Sequence, residues 1–60
     1  MSAVYNPEAD VVAEIERLEI WARELRRKIE MARGAEDKRV LSRLLKEAET
    51  EVDVLRSRLP

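Results

Sequence analysis

Sixty residues with neither cysteine nor histidine leave room for one small domain and remove disulfides and the usual structural-zinc ligands as staples. Charged side chains make up 42% of the chain, yet 12 basic and 13 acidic residues nearly cancel to −1, and the 45% apolar share excludes a highly charged disordered segment. A chain this short buries only about 60% of its unfolded surface, so oligomerisation is the remaining route to an adequate core.

Residues 1–5 precede any helix-start signal and are expected to be a flexible lead-in. Tyr5 either folds back on Val11 as a loose staple or stays a partly exposed aromatic. Asn6-Pro7-Glu8 reads as a helix start. Asn is a favoured N-cap, Pro suits the first helical position, and Glu8 and Asp10 put negative charge at the positive end of the helix dipole. The first helix is predicted over about 7–33.

Its apolar residues fall at Val11, Ile15, Leu18, Ala22, Leu25, Ile29 and Ala32, with gaps of 4, 3, 4, 3, 4 and 3. That 3.5-residue repeat keeps one narrow stripe facing a partner helix along its whole length. Gly34 is expected to end the helix as a left-handed residue, with Arg33 in the last turn against the negative end of the dipole. A single rod running through Gly34 is excluded by phase. The next seam residue, Leu41, comes nine positions after Ala32, two out of step with the heptad.

A turn over 34–36 therefore leads to a second helix over about 37–58, with Glu36 and Asp37 at its start and Asp37 as N-cap. The stripe repeats at Leu41, Leu45, Ala48, Val52, Leu55 and Leu59. Folding one stripe onto the other pairs residues whose numbers sum to 73 or 74 throughout, as an antiparallel hairpin requires. The expected fold is all-α, a single αα-hairpin domain over 1–60 that dimerises into a four-helix bundle.

One seam leaves much apolar surface wet. Trp21 and Leu44 flank the stripe, Val12 and Val40 widen it, and Ile20, Met31 and Val54 lie further round. Completing a dimer core is the expected role of the flanking residues. The predicted oligomer or partner interface is Val12, Ile15, Leu18, Trp21, Ala22, Leu25, Ile29, Leu41, Leu44, Leu45, Val52 and Leu55. The competing reading makes Trp21 with Ile20 a hot spot for another protein.

Catalytic chemistry has little to draw on. Ser2, Ser42, Ser57, Thr50 and Tyr5 have no histidine to activate them, and one internal glycine builds no phosphate loop. Glu47 with Glu51, and Glu49 with Asp53, share helical faces, but a solvated acidic face is the expected reading. Di-metal bundles add a histidine motif that this chain lacks. No enzymatic activity, cofactor, metal or small molecule is expected. No apolar run approaches the ~18 residues of a membrane span and no signal-peptide core opens the chain, so no membrane contact and a cytoplasmic location are expected.

Charge is polarised along the expected rod. Residues 23–46, around the turn, hold nine basic and four acidic side chains, +5, and the remainder sums to −6. The function expected from all this is a small non-enzymatic hairpin acting by protein–protein interaction, a homodimeric adaptor or regulator. The alternative is a nucleic-acid-binding regulatory dimer whose basic turn contacts phosphates through Arg26, Arg27, Arg33, Lys38, Arg39 and Arg43.

Overall fold

The computed structural model describes residues 6–60 and places them in two antiparallel helices, α1 (Pro7–Met31) and α2 (Ala35–Arg56), packed against each other. No strand occurs among the described residues. The expected lead-in and the Tyr5 staple lie outside them.

The start of α1 follows the local chemistry. Asn6 is extended, and its side-chain oxygen accepts from the backbone N–H groups of Glu8 (3.0 Å) and Ala9 (3.4 Å). Two N–H groups of the first turn thereby gain a side-chain partner. Pro7 follows at the first helical position, where its missing N–H costs nothing. With 25 residues, α1 is about 37 Å long.

The turn differs from the sequence expectation. Helix α1 stops at Met31, not near Arg33, and Ala32 is already extended (φ −69°, ψ 137°). Gly34 is not left-handed: its φ is −95°, and no described residue has a positive φ. It serves as N-cap of α2 through its backbone carbonyl, which accepts from Lys38 N at 3.1 Å. Asp37 is therefore no cap but a first-turn residue beside Glu36, and Lys28 takes the last-turn place expected of Arg33. The physical reason is reach. With Ala32 and Gly34 both extended, the three residues 32–34 reach up to roughly 10 Å, the spacing between packed helices, so the chain crosses without a left-handed step.

At the other end α2 closes at Arg56, short of the expected 58. The chain nonetheless keeps winding. Ser57 donates its hydroxyl to Val54 O at 2.6 Å, and Leu59 N bonds Arg56 O at 3.1 Å. This coiling carries Leu59 back onto the cluster of Ile15, Val52 and Leu55, which Val11 and Leu18 also cover.

Every seam residue of both stripes is buried or half-buried. Ile15, Ala22, Leu25, Ala48, Val52 and Leu55 form the core, with Leu25 wholly enclosed. The small Ala22 and Ala48 let the helices approach while larger neighbours fill the space. Toward the turn the core thins, and Ile29, Ala32, Leu41 and Leu45 are only half-buried.

Candidate functional site

The two edges of the seam are chemically different. One is polar and closed. Arg26 donates to the Glu49 carboxylate at 2.8 Å and Arg56 to that of Glu19 at 2.6 Å, so each pair ties α1 to α2. Arg23 and Asp53 line the same groove. All four bridging residues lie one place after a seam position, and both pairs sum to 75, two above the seam pairs beside them. That offset is legible in the sequence once the fold is known, yet the sequence reading missed both bridges. Arg26, expected among the phosphate contacts, has its guanidinium engaged by Glu49.

The opposite edge carries Trp21 and Leu44, one place before a seam position. Trp21 is 37% exposed and shares a shallow groove with Leu18, Leu44, Ala48, Glu47 and Glu51. The Lys28 ammonium lies 5.5 Å from the centre of the indole ring, close enough for a cation–π attraction. Nearer the turn the edge continues through Met31, Ala32, Val40 and Leu41, with Met31 74% exposed. This edge is the larger apolar surface, and none of the described residues covers it.

The other predicted interface residues are now placed. Ile15, Ala22, Leu25, Val52 and Leu55 are consumed by the hairpin's own core. Leu18, Ile29, Leu41, Leu44 and Leu45 are half-buried. Val12 is exposed on the ion-paired side of the seam, away from Trp21. Ile20 is exposed on the back of α1, so it does not form one continuous patch with Trp21.

Arg27, Arg33, Lys38, Arg39 and Arg43 are all exposed around the turn half. Among the described residues Arg39 lies 3.9 Å from Glu36, and the other four make no ion pair. Arg27 and Arg43 stand on the backs of their helices, and Lys38 and Arg39 stand near the start of α2. At the opposite end Arg17 hydrogen-bonds Glu14 one turn earlier, and that bond, with the carboxylate's charge, raises the guanidinium pKa further above its ordinary value. No group of three or more potential metal ligands is found among the described residues, and no described helix is long and apolar enough to cross a membrane. Comparison with protein-family models, with curated proteins and with solved structures finds no match, so the side chains carry the functional argument.

Proposed function

We propose that this chain is a non-enzymatic helical hairpin that works by binding, as a homodimer that engages another protein in a cytoplasmic setting. The observation that carries this reading is the pair of unlike surfaces. An open apolar edge is centred on Trp21, and a solvated basic surface formed by Arg27, Arg39, Arg43 and their neighbours surrounds the turn half. Aromatic side chains in exposed grooves supply the large desolvated contacts that protein interfaces use. The basic surface then suits an acidic patch on the second protein, where charge gives specificity and association rate more than affinity.

The exposed cations also support nucleic-acid binding as the second reading. No aromatic residue lies among them for base stacking, and Glu30, Glu36 and Asp37 are interspersed. A pulldown from the native host, run with and without nuclease and beside an R27E/R39E/R43E variant, tests the two together. A partner protein retained after nuclease and lost with the variant is the expected result. Capture that disappears with nuclease, matched by binding of purified nucleic acid that weakens steeply with salt, would favour the second reading. A partner that ignores the charge reversal would remove the basic surface from either account.

A further inference from the structure

We infer that the Trp21 edge is occupied by a second copy of this chain, turned end for end about Trp21, so that α1 lies antiparallel over α1 of the other copy. The inference rests on the homodimer proposed above and names its interface and orientation.

The pattern along α1 carries it. One place before each seam residue stand Asp10, Glu14, Arg17, Trp21, Glu24, Lys28 and Met31, with the same alternation of 4 and 3. A stripe of that period stays in contact with a partner helix over its full length. It is also self-complementary on reversal. With Trp21 on the two-fold axis, Glu14 lies opposite Lys28 of the second copy, and Arg17 opposite Glu24. On α2 the same axis brings Glu47 level with Arg58 of the second copy. Each opposite-charge pair occurs twice by symmetry.

Packing the same edges with the turns together fails this test. That arrangement sets α1 of one copy over α2 of the other, and Trp21 already lines one groove with Leu44, Glu47 and Glu51 of α2. Glu24 would then meet Glu47, and Trp21 would meet Glu51. The two +5 ends would also lie side by side, whereas reversal sets each beside a −6 end.

The apolar edge also runs along the hairpin, from Leu18, Trp21 and Leu44 to Met31 and Val40 near the turn. The half-buried Ile29, Leu41 and Leu45 near the turn would gain cover from the same contact. The ion-paired edge offers no comparable apolar surface.

The absence of native cysteine permits a direct test. Positions 14 and 28 lie about 21 Å apart along one helix, too far for a disulfide within a chain. The chain carrying both E14C and K28C should oxidise to a covalent dimer at low micromolar concentration, whereas E14C alone and K28C alone should not. An uncrosslinked double variant that still sediments as a dimer would overturn the orientation but leave the homodimer standing, as would efficient crosslinking of A35C alone. A monomer mass for the unmodified chain would overturn both. In parallel, E14K should weaken dimerisation about tenfold by creating two like-charged pairs, and adding K28E should restore it. No restoration would also count against the stripe.

Discussion

Leu25 has no exposed surface, Leu45 is half-buried by the hairpin alone, and Ile20 projects from the back of α1 at 49% exposure. Replacing Leu25 with alanine should cost about 2–5 kcal/mol, the range for a buried leucine whose cavity cannot collapse fully. Ile20→Ala should stay within about 0.5 kcal/mol. Leu45→Ala is the informative member of the set. A loss close to that of Leu25→Ala, measured by chemical denaturation of the dimer, means that the second copy completes its burial. A small loss means the position stays half wet. Gly34 provides a separate test of the turn. At φ −95° any residue fits, and an added Cβ would meet only Asp37 Oδ2, at an ordinary 3.8 Å. Gly34→Ser should therefore stabilise by about 0.5–1 kcal/mol, by adding a side-chain cap and restricting the unfolded chain. A left-handed glycine would give the opposite sign, a loss of about 1 kcal/mol.

At the scale of the helices, strength of local chemistry decided how much the sequence revealed. Asn6-Pro7 carries a side-chain cap and a fixed φ at adjacent positions, and α1 begins where they predict. The seam repeat was equally legible, because a 3.5-residue period admits one facing stripe, and every member of it is at least half-buried. Gly34 misled because glycine is compatible with several backbone states, and reach across the helix spacing chose an extended one. The shift of the α2 start from Asp37 to Ala35 has the same origin. Interhelical pairs such as Arg26–Glu49 depend on which flank of one stripe meets which flank of the other, information that only the fold provides. Both bridges are half exposed, with side-chain exposures of 52% and 50% for Arg26 and Glu49, and 56% and 40% for Arg56 and Glu19. A double-mutant cycle on each should yield coupling of no more than about 1 kcal/mol, falling as salt is added. Their value lies in fixing which edge is closed. The R26E/E49R exchange should accordingly retain wild-type stability while R26E alone loses a measurable fraction of it.

For the whole molecule, six buried side chains among the described residues make a small interior, which the proposed second copy would enlarge. Its open surfaces are unlike, apolar along the edge around Trp21 and basic around the turn half. Joining two copies through the apolar edge would turn the basic surfaces outward, available to a second partner. Folding and association are then linked, so apparent stability must rise with protein concentration. High salt should weaken the end-for-end dimer, since the screening length shrinks to about 3 Å at 1 M while the apolar contact persists. The measurement that tests the dimer most directly is thermal unfolding followed by helical signal over a hundredfold dilution, with sedimentation mass recorded at each concentration. The account predicts twice the chain mass at the upper concentrations and a midpoint that climbs steadily with concentration. A single-chain mass throughout, with an unchanged midpoint, would contradict it.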